Sequence, residues 1–310
     1  MRILVTGGAG YIGSVLTGQF LQAGHSVTVV DRLLHGVHGL YQYCGVPGFD
    51  FVFGDVRDEA VMRPLIASHD VLVPLAAIVG MPACDRDPVT AQTTNYDAIA
   101  LLDRLRSKQQ PVIYPCTNSG YGTKSGDMFC TEETPLEPVS LYGRSKVEAE
   151  RLLLEAGNAV TLRLATVFGV SPRMRLDLLV NDFTFRALKD RVLVLYEPHF
   201  KRNYLHIQDV ARAFLHVIDN WETMQGEAYN VGLEDANLSK RELADRIKTH
   251  VPSLYIHEAE VGKDPDRRNY IVSNEKIGRT GFVAERSLDE GIRALLVAFR
   301  MTPHGPMANA

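Results

Sequence analysis

The chain has 310 residues, 45% hydrophobic and 23% charged, with a formal net charge of −4. That length suits one large domain or two smaller ones with developed cores, and the mildly acidic balance gives no basic footprint for nucleic acid. No apolar run approaches the roughly 18 residues that cross a bilayer, the Met1–Gly8 run enters a strand with no leader-like pattern, and Cys44, Cys84, Cys116 and Cys130 lack metal-ligand or disulfide spacing. The expectation is a cytoplasmic protein with no metal and no membrane or nucleic-acid partner.

In chain order, Arg2–Gly7 is a short apolar, β-branched run ending on glycine, which reads as a buried strand. From Gly10 to Gly24, Ile12, Val15, Leu16 and Phe20 recur at helical spacing, and Gly24 supplies a stop. Ser26–Asp31, Phe49–Asp55, Asp70–Ala77 and Pro111–Cys116 give further strands, with helical patterns around Glu59–Ser68 and Pro88–Ser107. A long helix is expected over Leu141–Ala156 and another strand over Ala159–Ala165. Strands alternating with helices predict an α/β fold, a Rossmann-like doubly wound parallel sheet covered on both faces. After Gly169 the rhythm breaks into a loop and helix, short strands and helices, a helix over Ser239–Thr249, a strand near Tyr255 and a terminal helix over Leu288–Phe299. The expected division is a larger domain over residues 1–169, to which 205–232 returns, and a smaller C-terminal substrate-binding domain from 170–204 and 233–310, with a frayed tail from Thr302.

Two constellations carry chemistry. In "TGGAGYIG" (Thr6–Gly13), Gly7, Gly10 and Gly13 lie between the first strand and first helix, where missing side chains let the backbone turn sharply and approach a pyrophosphate. A glycine triplet alone is only a tight turn. Here Asp31 ends the next strand at the offset of about 20 residues that places a carboxylate on the adenosine ribose, which favours NAD over NADP. Arg32, directly after it, would soften that preference if it faced the same ribose, and is otherwise a solvated loop charge. Asp55 ends the third strand beside the adenine side of such a fold; a helix N-cap is the alternative, which Asp58 serves better. Ala76 and Ala77 leave room for a cofactor at the end of the fourth strand, although close packing explains them equally.

In "YGRSK", Tyr142 and Lys146 are four residues apart on one helix face, an arrangement in which an ammonium lowers a phenol's pKa toward that of a neutral-pH base. The bland alternative is a surface pair. This is the one Y-x-x-x-K in the chain, and it follows Thr117 on the helix after the fifth strand, so Thr117 and Tyr142 are expected to converge on one substrate hydroxyl.

With "GGAGYIG", Asp31, "GDV", "LAA", Asn95, "TNSGYG", "YGRSK", "LRLATVFG", "KRNYLHIQDVARAF" and "EAYNVG", nearly the whole chain resembles extended short-chain dehydrogenases/reductases of the nucleotide-sugar epimerase/dehydratase family. The resemblance implies an NAD-binding first domain, cofactor contacts from Tyr11, Ile12, Val56 and Asn95 besides those above, and a homodimer built on the helices near Ala98 and Ala149. It also implies that Tyr142 takes a proton from a sugar hydroxyl, usually at C4, while the C4 hydride passes to NAD. Thr117 would hydrogen-bond the same oxygen, and Lys146 would hold the nicotinamide ribose. Asn118, Ser119, Thr166, Arg202 and Arg268 are the implied substrate contacts, the two arginines clamping the diphosphate, whose geometry guanidinium matches. Thr166 stands where the family usually has asparagine. His206 is expected to be structural.

The resemblance also separates reactions. A 4,6-dehydratase of this family carries Asp-Glu directly after the catalytic threonine; Asn118 and Ser119 do not exchange protons with carbon near neutrality. A GDP-mannose-type 3,5-epimerase has a cysteine where this chain has Ser119. Cys116 falls on the other side of the strand by alternation, and Cys84 is read as lying in a loop. Oxidation or epimerisation at C4 remains, with 4-epimerase first. A 4-dehydrogenase or 4-keto-reductase, which needs the same residues at the chemistry, comes a close second, a weaker resemblance implying a GDP-heptose as its substrate; a 4,6-dehydratase or a non-catalytic NAD-binding module follows.

Overall fold

The computed structural model describes residues 1–124, 129–260 and 268–302, so the expected tail beyond Thr302 lies outside the described residues. The first apolar run forms β1 (Arg2–Thr6), the glycine-rich turn opens α1 (Tyr11–Gln22), and β2 (Ser26–Asp31) and β3 (Phe49–Phe53) follow. Next come α2 (Glu59–Ser68), β4 (Val71–Pro74), α3 (Met81–Arg86), α4 (Pro88–Gln92), α5 (Ala98–Leu105) and β5 (Val112–Thr117). A two-residue strand β6 (Phe129–Cys130) precedes α6 (Leu141–Ala156), β7 (Ala159–Leu164), β8 (Thr166–Phe168) and α7 (Leu179–Lys189). Then come β9 (Val192–Leu195), β10 (Lys201–His206), α8 (Ile207–Asp219), α9 (Trp221–Met224), β11 (Ala228–Val231) and β12 (Asn237–Ser239). The chain closes with α10 (Lys240–His250), β13 (Tyr255–Glu258), β14 (Ile271–Val272), α11 (Glu275–Gly278) and α12 (Leu288–Met301).

Seven strands pair in parallel in the order β11-β7-β5-β4-β1-β2-β3. Alternation along each strand sends successive side chains to opposite layers. Ile3 and Val5 join Leu16, Phe20, Val210 and Phe214 beneath α1 and α8, whereas Leu4 joins Ile66, Ala98, Tyr114, Ala149 and Leu153 beneath α2, α5 and α6. The central strands β4, β5 and β7 are buried along their whole length, as parallel strands covered on both faces must be. Ala98 and Ala149 face this core. The strand order reverses between β1 and β4, so the crevice at their carboxyl ends is where a ligand binds in such a sheet.

The second core forms around α7, α10 and α12, with Phe168, Val180, Leu193, Ile247, Ile292 and Phe299 at its centre. A three-stranded sheet β12-β10-β8 and the pairs β9–β13 and β6–β14 complete this side. Asp209 joins the two cores: its buried carboxylate accepts from Arg212 (2.7 Å) and from the backbone N–H groups of Glu285 (3.1 Å) and Arg286 (2.8 Å). Among the described residues, no helix is long and apolar enough to cross a membrane.

Three local expectations change. The helical pattern over 88–107 is broken by a wide turn at Thr93–Asp97; such π-type insertions occur where a side chain is redirected to a task, and here Asn95 is turned onto the backbone of Ile78. β4 stops at Pro74, and Gly7 crosses the chain just beyond it: a Cβ on Gly7 would lie 2.7 Å from the backbone of Ala76. Cys84, expected in a loop, is buried in α3.

Candidate active site

The crevice at the β1–β4 reversal opens into a cavity of about 1310 Å³ that runs from Asp31 to Arg268. Its first wall is mostly backbone. Gly7 adopts φ 71°, a left-handed conformation that glycine takes without strain. Gly13 packs so closely that a Cβ there would lie 2.5 Å from the Gly7 carbonyl oxygen and 2.6 Å from Gly8 Cα. The loop therefore folds onto itself and delivers the start of α1 into the cavity with no side-chain cap at Gly10, leaving the first-turn N–H groups of Tyr11, Ile12 and Gly13 suited to an anion.

Asp31 lines the same wall and is oriented by backbone: its carboxylate accepts from Ala9 N–H (3.0 Å) and Leu33 N–H (2.7 Å). Arg32 lines the same cavity and pairs with Asp55 at 3.2 Å. Arg57 clamps Asp55 from the other side (2.7 Å), and its hydrogen bonds hold the Asp55 carboxyl below its ordinary pKa. Val56, Ala76 and Ala77 line the cavity between these groups. The Tyr11 ring also lines it, while the buried hydroxyl donates to Gly169 O (2.7 Å). Asn95 does not line it. Asn95 Oδ1 accepts from Ile78 N–H (2.8 Å) and Asn95 Nδ2 donates to Ile78 O (3.0 Å), so it fixes the chain leaving β4 behind the wall.

The opposite wall carries side chains. Thr117 ends β5 one residue later than the pattern predicts and caps the short turn Asn118–Tyr121. Its Oγ1 accepts from Ser119 N–H (3.1 Å) and donates to Ser119 Oγ (2.9 Å). The N-cap Ser140, bonded to Gly143 N–H (3.1 Å), starts α6 so that Tyr142 lies in its first turn and Lys146 one turn further, both facing the cavity. Burial pushes the Tyr142 phenol up to about 12; the cations Arg175 and Arg268 pull it down but do not offset that. Burial also pushes Lys146 down to about 8, against the opposing pull of Cys116 and Glu150. The ammonium sits 3.9 Å from the Tyr114 ring centroid. The sequence expectation of a phenol lowered chiefly by Lys146 is therefore replaced by one raised by burial and moderated by two arginines.

The neighbours of Thr117 divide sharply. Ser119 lines the cavity, whereas Asn118 is fully buried off it and its carboxamide has no hydrogen-bond partner among the described residues. Cys116 donates to Lys146 O (3.6 Å) beneath the strand, and burial raises its thiol well above the ordinary value. Cys84 donates to Ile78 O (3.3 Å), and burial pushes it up to about 11. Neither thiol is a thiolate at neutral pH.

Thr166, Arg202 and Arg268 line the far end. Arg202 is buried, donates to Lys201 O (2.9 Å) and lies 5.7 Å from the Tyr270 ring centroid. Arg268 donates to Ser119 Oγ. His206 caps α8 by accepting from Gln208 N–H (3.3 Å) and packs against Phe168, a structural role as expected. Sequence reasoning missed Arg173, Arg175, Asp177 and Lys240 on this wall. Arg175 pairs with Asp177 through Nε (3.1 Å). The available signal was the charge-dense "RMRLD" loop soon after Gly169, beyond the carboxyl end of a sheet strand.

Residues 3–232 match the NAD dependent epimerase/dehydratase family. The chain belongs to this family. It is 28% identical to a dTDP-glucose 4,6-dehydratase of Streptomyces niveus, over 80% of this chain and 76% of that protein. It is 29% identical to a UDP-N-acetyl-alpha-D-glucosaminuronate decarboxylase of Bacillus cytotoxicus, over 83% of each. The fold superimposes on Thermus thermophilus UDP-glucose 4-epimerase in complex with NAD with a TM-score of 0.82 at 25% identity, covering 97% of this chain and 99% of that one. This family member is thus an NAD-dependent enzyme, and the residues present fit the cofactor. The glycine cradle leaves no space for Cβ atoms, α1 starts uncapped, and Asp31 is held by backbone N–H groups with oxygen lone pairs left for a ribose.

Proposed function

We propose that this enzyme oxidises C4 of a nucleotide-linked sugar and restores it with inverted configuration, as a nucleotide-sugar 4-epimerase. One observation carries the reading: Thr117, Ser119 and Tyr142 share a cavity wall, while Asn118 and the thiols of Cys84 and Cys116 are turned off it. That wall moves a proton on and off one oxygen and supplies no residue next to Thr117 suited to exchanging a proton with carbon. When bound, NAD supplies the acceptor for the hydride that leaves C4. Tyr142, in the ionised form that Arg175 and Arg268 favour, takes the C4 hydroxyl proton and returns it, Thr117 and Ser119 hydrogen-bond the reacting end of the sugar, and Lys146 keeps a cation beside the site. Gly7–Gly13 and Asp31 bind the cofactor's diphosphate and ribose, and Arg202 faces the substrate diphosphate. A family-type homodimer is part of the same reading.

A second reading, a 4-dehydrogenase or 4-keto-reductase, draws on the hydrogen-bonded cluster Thr117–Ser119–Arg268. In that reading the cluster holds the ketone in place instead of letting it swing round. A panel of UDP-, GDP-, dTDP- and CDP-sugars with NAD, followed at 340 nm and by NMR, separates the two. Inversion at C4 without net NADH supports the epimerase, NADH accumulation contradicts it in favour of the dehydrogenase, and absence of turnover across the panel overturns both.

A further inference from the structure

The cluster around Ser119 has a hydrogen-bond arithmetic that assigns its parts. A serine hydroxyl offers one proton and two lone pairs. Ser119 Oγ accepts from Thr117 Oγ1 at 2.9 Å and also from Arg268 Nη1. Both lone pairs are thereby used, so the hydroxyl proton of Ser119 has to be donated elsewhere, and Ser119 lines the cavity. Thr117, for its part, has given its proton to Ser119 and accepts from Ser119 N–H at 3.1 Å. What it still offers a ligand is a lone pair. The two neighbouring hydroxyls, which look interchangeable in the sequence, therefore present opposite faces: Thr117 an acceptor and Ser119 a donor.

Resting on the C4-redox reading above, we propose that Ser119, backed by the Arg268 guanidinium, is the donor to the oxygen that becomes the C4 carbonyl, and that Arg268 is a positioning residue acting through Ser119. A hydroxyl polarised by a permanent cation is a stronger donor than a free one, and it matters most where charge changes on the substrate oxygen. Arg268 acts in the same direction on Tyr142, whose phenol it stabilises in the ionised form. This use of Arg268 differs from a clamp on the substrate diphosphate, because its contact with Ser119 lies beside Thr117 at the reacting end of the cavity.

The test separates a relay at the reacting carbon from a diphosphate clamp. Ser119→Ala, Arg268→Gln, Arg268→Lys and the double variant Ser119→Ala/Arg268→Gln are assayed in the NAD-loaded enzyme with the nucleotide sugar turned over fastest. Binding of UDP, GDP, dTDP and CDP is measured by calorimetry on the same proteins. Removing a donor to a reacting oxygen typically costs about 10²–10³ in kcat, so Ser119→Ala should lose roughly that much with KM nearly unchanged. Arg268→Gln should lose about tenfold or more in kcat and keep its nucleoside diphosphate affinity within about twofold. Arg268→Lys should recover part of the loss, and the double variant should be no worse than Ser119→Ala, since the arginine acts through the serine. Wild-type kcat in Ser119→Ala would overturn the proposal, as would an Arg268→Gln enzyme with intact kcat and nucleoside diphosphate binding weakened tenfold. If the wild type turns over no nucleotide sugar, the C4-redox reading itself fails; if it does and Ser119→Ala matches it, only this inference fails.

Discussion

The two walls of the cavity are built from different material. Around Gly7, Gly10, Gly13 and Asp31 the surface is backbone held by backbone, with Asp31 itself oriented by the N–H groups of Ala9 and Leu33. Around Thr117, Tyr142, Arg175, Arg202 and Arg268 it is side chain, gathered from β5, α6, β10 and loops far apart in the chain. The first wall follows from the sheet topology and serves one cofactor; the second is free to vary, so the reaction and substrate of a family member reside there. Family members of similar fold are accordingly a dehydratase, a decarboxylase and an epimerase.

Substitutions that strike one wall and spare the other sharpen this comparison. The largest effect should come from Tyr142→Phe, which removes the proposed proton acceptor but no cofactor contact made by the glycine loop. Turnover should fall by about 10²–10⁴, while NAD affinity, followed by fluorescence or calorimetry, stays within a few-fold of wild type. Next is Glu150→Ala beneath the side-chain wall. Glu150 pairs with Arg163 at 2.7 Å and accepts from Thr161 at 2.9 Å, and all three residues are buried. Breaking a buried pair by removing one partner costs about 3–5 kcal/mol, so denaturant unfolding should show that loss of stability, with a weaker or absent native baseline.

Asp31→Ser attacks the backbone wall instead. Losing the carboxylate proposed to hold the ribose should weaken NAD roughly tenfold, the worth of about one charge-assisted hydrogen bond, and narrow the proposed preference over NADP, with little change in kcat at saturating NAD. The smallest effect belongs to the second core, where Asp289 bridges α10 and α12 through Arg246 and His250 (2.8 Å to each). Those partners, Arg246 foremost, lower its carboxyl from 3.8 to about 2. A carboxyl lowered on folding stabilises above its ordinary pKa and loses that contribution as pH falls through the folded value. Asp289→Asn should therefore cost less than about 1 kcal/mol at pH 7, given its exposure. The difference from wild type should shrink toward zero as the pH of the melt is lowered from 4 to 2.

The same contrast explains what was legible in the sequence. Helix α6 and strand β2 begin and end where periodicity, caps and β-branched runs put them, because those signals are local. The glycine loop and Asp31 were readable together because their spacing reflects one βαβ unit. The turn at Thr93–Asp97 was not: it answers to Asn95 bonding Ile78, a contact across 17 residues. Nor could spacing reveal that Arg268 lies against Ser119, 149 positions away, or that Arg175 reaches the Tyr142 field. Asn118 and Ser119 are adjacent letters of similar polarity, and the turn after β5 buries both, yet only Ser119 borders the cavity.

The central claim is that chemistry is confined to C4. It is tested most directly by turning over the accepted nucleotide sugar in deuterated water, with a second sample deuterated at C4, and reading both products by NMR. The account predicts no solvent deuterium on C3 or C5, and the C4 label conserved at the inverted centre or found on the reduced nicotinamide. Solvent deuterium at C5 or C3, or a C4 label lost to water, would contradict it.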